Sequence, residues 1–151
     1  MRFMTLLLIL IAVAGGALVV IQTSINAKVR IQADSPWQAA LVSTTVSTVF
    51  LFVLSTAITH HPYPPVAKIQ GTPWWIWTGG ILGAVYVALT LVLVKKLGSG
   101  VLFSAVVLGQ MIAALLIDQF GLIGAARHEI TPPRVLGVVM IVGGVALVRL
   151  F

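Results

Sequence analysis

Residues 101–121, VLFSAVVLGQMIAALLIDQFG, form an apolar run broken by one amide, Gln110, near its middle and one carboxylate, Asp118, near its end. Roughly 20 mostly apolar residues are enough for a helix to cross a bilayer. Hydrocarbon offers Gln110 no hydrogen-bond partner, so its amide must face protein or a water-filled cavity. The run is one of five segments with this character, at about 3–25, 37–58, 75–94, 101–120 and 132–151. A chain built this way is expected to be an all-α integral membrane protein with five transmembrane helices.

Only 8% of the 151 residues are charged and 60% are hydrophobic, whereas a soluble domain carries about 25% charged residues. The expectation is therefore a single transmembrane domain over residues 1–151. Residues 2–25 begin like a secretory signal, but their apolar stretch exceeds the usual 7–15 residues. They read as a retained first helix.

The net charge of +6 does not point to nucleic acid. The basic residues sit one to three at a time between apolar runs, where they serve as topology signals and headgroup contacts. Membrane lipids are the expected surroundings. With no cysteine, disulfides, thiolate metal sites and thiol nucleophiles are excluded.

Polar residues inside the runs mark the candidate site. Gln22 and Asn26 are four apart and share one face of the first helix. They read either as a helix end meeting headgroups or as the lining of a cavity mouth. The second segment holds Ser43, Thr44, Thr45, Ser47 and Thr48. Such hydroxyls bond back to their own helix or mediate helix packing, or they touch a ligand directly. Tyr86 and Thr90 share a face of the third segment. Gly79 and Gly83 form a GxxxG pair there, and Gly143 and Gly144 lie in the fifth segment; glycines of this kind let helices approach closely.

Several boundaries are written locally. Ser35-Pro36, Thr72-Pro73 and Thr131-Pro132 each look like a cap residue followed by proline at the first helical position. Gly121 is placed to end the fourth helix. Lys28 and Arg30 are expected in the first loop, and Gly98-Ser99-Gly100 as a short turn between the third and fourth helices. Adjacent His60 and His61 have no acid or third ligand nearby in sequence, so no metal or cofactor is expected. No P-loop, nucleophile elbow, zincin motif or paired catalytic carboxylates occur, so the chain is not expected to be an enzyme.

Five crossings would put the termini on opposite sides. One side then holds Arg2, Lys68, Arg127 and Arg134, and the other Lys28, Arg30, Lys95, Lys96 and Arg149. Four against five gives the positive-inside rule almost no vote. Such a chain can insert either way up, and two opposed copies would create inverted-repeat symmetry. The alternative is one orientation, fixed by flanking residues or by a partner chain.

The first-helix Gly15-Gly16 followed by Gln22 and Asn26, Pro36-Trp37, the block TPWWIWTGGILGAVYV at 72–87 and GQMIAALLIDQFGLIG at 109–124 together resemble the YdcZ-type five-helix bacterial family of the drug/metabolite transporter (DMT) superfamily. The resemblance covers essentially the whole chain. It implies a half-size, multi-pass transporter of the inner membrane, related to ten-helix carriers made of two inverted five-helix halves. It also implies dual topology, as an antiparallel homodimer or with an oppositely oriented paralogue. One departure stands out: the first helix lacks the glutamate that small multidrug exporters use for cation exchange.

The function expected is secondary transport of a small molecule by alternating access. Gln22, Asn26, Ser43, Ser47, Tyr86 and Gln110 are the substrate-binding candidates, and a site without central charge suits a neutral or zwitterionic molecule, or a cation held by aromatic faces. Asp118 is the one acid inside an apolar segment. A carboxylate out of water holds a proton more readily, which makes Asp118 the proton-coupling candidate; the alternative is an interfacial residue paired with Arg127 or capping backbone. A non-transporting membrane scaffold or assembly subunit is the rival reading of the whole chain.

Overall fold

The computed structural model describes residues 2–61 and 63–150. The described residues form helices and turns, with no strand. Four helical stretches are long and apolar enough to cross a membrane: Phe3–Ala33, Pro36–Thr59, Trp74–Phe120 and Pro132–Leu150. The helices are α1 (Arg2–Ala33), α2 (Pro36–Thr59), the short α3 (Val66–Ile69), α4 (Thr78–Phe120) and α5 (Pro132–Leu150).

Helix α1 runs on to Ala33, so Lys28 and Arg30 lie on helix rather than in a loop. The cause is tertiary: Arg30 Nη1 donates to the backbone carbonyl of Leu91 in α4. That partner lets the last turns of α1 stay helical past the apolar run. Asp34, in the left-handed region at φ 53, then breaks the helix. Ser35 caps α2 by accepting from the Gln38 N–H at 3.4 Å, with proline next. Because that bond is long, Ser35→Ala should cost only about 0.5 kcal/mol, the low end for a lost cap; thermal unfolding in detergent would measure it.

The other two proline starts differ. Thr131-Pro132 does open α5. At Thr72-Pro73, however, the hydroxyl of Thr72 turns back to the Ile69 carbonyl, and Trp74–Trp77 form a 3-10 turn before α4 begins at Thr78. Three of the four residues of that tight turn, Trp74, Trp75 and Trp77, carry indoles.

Helix α4 has 43 residues and one non-helical position, Gly98, at φ 75 and ψ 163. The break is confined to that residue, while Ser99 and Gly100 are helical. The stretches on either side are each roughly 20 residues, or about 30 Å at about 1.5 Å per residue. Gly121, in the left-handed region at φ 61, ends α4 as its sequence position anticipates.

The chain divides into two compact units, Met1–Lys95 and Lys96–Phe151. In the first, Ala39 and Ala40 of α2 and Ala88 and Leu91 of α4 form a small buried core, with Ala27, Val29 and Val87 packed against it. Alanines let the helix backbones approach, which in lipid replaces the hydrophobic driving force. In the second unit, a Cβ at Gly100 would lie 3.4 Å from Val148 Cγ1 of α5. Among the described residues most large apolar side chains are exposed.

Candidate functional site

The first unit carries a groove of about 580 Å³ between α1 and α2. Its size falls within the roughly 300–1,000 Å³ typical of small-molecule sites. Gln22 and Asn26 line it from α1, and Ser43 and Ser47 from α2, among apolar neighbours that include Leu18 and Val46. No charged residue contributes to its lining.

The grouping follows from two helical periodicities and one tight link. Each pair is four residues apart on its own helix, hence on one face. The Asp34-Ser35 link then folds the two faces together. Asn26 is 8% exposed and donates from Nδ2 to Ser43 Oγ at 2.8 Å. Ser47 Oγ donates to the Ser43 carbonyl at 3.0 Å. The remaining hydroxyls of α2 are largely satisfied within the helix: Thr44 bonds the Ala40 carbonyl at 2.9 Å, and Thr48 bonds that of Thr44 at 2.8 Å.

Four of the six binding candidates therefore share one groove. Tyr86 does not line it; its Oη is buried and has no hydrogen-bond partner among the described residues. Gln110 belongs to the second unit and lies on an exposed face of α4. Gly79, Gly83, Gly143 and Gly144 would each tolerate a Cβ with nothing within 4 Å among the described residues.

Asp118 lies eight residues beyond Gln110, about 12 Å along the helix and close to the end of α4 at Phe120. Its partner is Arg134, with Oδ2 and Nη1 3.3 Å apart, not Arg127. Arg127 Nε instead donates to the Gln119 carbonyl at 3.0 Å. Sequence reasoning passed over Arg134 as a partner, although it is the basic residue at the far end of the same connection.

His60 ends α2 in the left-handed region, with its N–H on the Thr56 carbonyl at 2.9 Å. Among the described residues no group of three or more His, Cys, Asp or Glu could hold a metal.

Comparison with curated proteins and with solved structures yields no match. A family model described as "Putative inner membrane exporter, YdcZ" matches residues 7–147. Nearly the whole chain falls within that match, and with helices long enough to cross a membrane it identifies a multi-pass protein of the inner membrane. The chain belongs to the YdcZ family, DMT_YdcZ.

Proposed function

We propose that the chain is half of a secondary transporter that moves a neutral or zwitterionic small molecule by alternating access. The observation that carries this reading is the uncharged groove lined by Gln22, Asn26, Ser43 and Ser47. Asn26 and Ser47 each commit a donor within the protein. The Oδ1 of Asn26 and the lone pairs of Ser47 remain to accept, so the favoured cargo is partly apolar and brings its own N–H or O–H groups.

In this reading the α4 stretches on either side of Gly98 are two crossings, giving five per chain. Each matches the roughly 30 Å hydrocarbon thickness, whereas one helix of about 64 Å would not. Two copies inserted in opposite senses complete a ten-helix, inverted-repeat carrier. Two features support the pairing. The basic residues divide four against five between the two sides. Gln110 is exposed at mid-depth beside the exposed small residues Ala105, Gly109 and Ala113, an arrangement suited to close helix approach with an amide bonding across it. At the midplane an antiparallel partner presents the same Gln110. Asp118 is the proposed coupling residue, and in such a dimer one copy would lie toward each face.

The test is counterflow in proteoliposomes with radiolabelled probes: a neutral amino acid, a pyrimidine nucleoside and an aryl amide, beside a quaternary ammonium dye. Saturable exchange of one or more of the first three, without the dye, is expected. A protein that moves the dye alone contradicts the proposed cargo. A scaffold would exchange none of them and would give the amide-lined groove no role.

A further inference from the structure

The end of α4 is strapped by the connection that follows it. Helix C-termini leave carbonyls without intrahelical partners, and here that connection returns to fill them. The His128 N–H donates to the Asp118 carbonyl at 2.9 Å. Arg127 Nε donates to the Gln119 carbonyl at 3.0 Å. The Ile130 N–H donates to the Gln119 side-chain Oε1 at 2.6 Å. The turn that makes this possible uses left-handed backbone at Gly121, Ile123 and Gly124.

Only one bond of the set reaches α5 itself, the ion pair from Asp118 to Arg134. Both side chains are about one-third exposed, so the pair is neither sealed in the interior nor free in solvent. It lies on the wall of a cavity of about 280 Å³, whose other lining comes from Met111, Ala114 and Leu115 of α4 and Gly137 and Ile141 of α5. The lining is apolar apart from this one pair.

The geometry points to Asp118–Arg134 as a latch: the ion pair holds the start of α5 against the end of α4 and closes that cavity toward a membrane face, with Gln119 holding the strap in register. Interfacial placement fits the role. A pair one-third exposed can separate because each charge can be rehydrated, whereas a fully buried pair has no water to take up its charges. The latch rests on the alternating-access reading for its purpose, since a carrier needs a closure that opens, but it is tested without transport.

The chain has no cysteine, so a single introduced thiol reports on the cavity. A Cβ on Gly137 meets nothing within 4 Å among the described residues, so the backbone there leaves room to start a cysteine side chain. The rate of its alkylation by a membrane-impermeant maleimide is measured in the full chain in lipid nanodiscs, at one fixed pH. Labelling should be slow in the Gly137→Cys background and at least about tenfold faster after Asp118→Asn or Arg134→Gln. It should return to the slow rate in the exchanged pair Asp118→Arg with Arg134→Asp, because a latch needs opposite charges and is indifferent to which helix holds which. Arg134→Lys, which keeps the charge but loses the planar fork, should fall between and covers the case in which a neutral variant fails to fold. Singles that label no faster than the background, or an exchanged pair as fast as the singles, overturn the latch. Neither result would touch the transporter reading, which stands or falls on exchange through the α1–α2 groove.

Discussion

Replacing Gly98 with alanine should lower the unfolding temperature by roughly 3–10 °C, from about 1–3 kcal/mol of backbone strain at a residue held where essentially only glycine resides. The position is specified by φ 75 with ψ 163, while a Cβ there meets nothing within 4 Å. The cost is thus conformational and not steric. The chain has one way to relieve it, which is to take helical angles at residue 98. That would join the two stretches into a rod of about 64 Å, twice the hydrocarbon thickness. Loss of correctly inserted protein should therefore accompany the loss of stability. Gly15→Ala is the matched comparison, since Gly15 is helical and equally open. There alanine should stabilise by roughly 0.5–1 kcal/mol. Circular dichroism melts in detergent would show the opposite signs, and equal shifts for both variants would contradict the account of Gly98.

The second large effect is functional. Asn26→Ala should reduce exchange of whichever probe is carried by at least about tenfold, while costing only about 0.5–1.5 kcal/mol of stability. The amide is buried, bonded to Ser43 Oγ at 2.8 Å, and contributes to the groove wall. Removing it deletes an acceptor that the cargo would use and leaves Ser43 without its donor. Asn26→Asp keeps the shape but removes the Nδ2 donor to Ser43, and it should impair exchange as well. Ser24→Ala is the control: Ser24 is exposed, and its hydroxyl serves its own helix through the Val20 carbonyl at 2.9 Å. It should exchange normally. A Ser24 variant as impaired as Asn26→Ala would mean that α1 is merely sensitive to change, and the site assignment would lose its support. An Asn26→Ala protein that exchanged at the full rate would remove the groove from the pathway.

Both effects trace to features of different legibility. The groove was readable because its parts are periodic: Gln22 with Asn26 and Ser43 with Ser47 each mark one helix face, and Ser35-Pro36 announces the start of the second helix. What brings those faces together is the short link at Asp34, whose left-handed backbone at φ 53 has no strong sequence signal. The reach of α1 to Ala33 was hidden for another reason. Lys28 and Arg30 look like loop residues locally, and only the Arg30 bond to the Leu91 carbonyl, 61 positions along, shows why the helix continues. Gly98 illustrates the limit of local signals in the other direction. Gly98-Ser99-Gly100 reads as a three-residue turn, yet one glycine takes the whole departure from helix.

Asp118 shows how partner choice escapes sequence. Arg127, nine positions on, is the nearer basic residue in sequence, but Gln119 takes it by accepting from its Nε. That leaves Arg134, at the start of α5, to meet the carboxylate. The small-residue ridges tell a related story. Gly79, Gly83, Gly143 and Gly144 invite close packing by composition, but their partners are not among the described residues of this chain. In the dimer proposed here a second copy supplies them.

That dimer is the central claim, and topology tests it without knowledge of the cargo. Single cysteines are placed in short tags at the N- and C-termini of the otherwise cysteine-free chain. They are labelled in intact cells with an impermeant maleimide, before and after permeabilisation. Opposed insertion predicts that each tag is labelled from outside in roughly half of the molecules and that permeabilisation exposes the rest. If each tag is instead reached from one side only, the chain has a single orientation, and a carrier made of two opposed copies of it is ruled out.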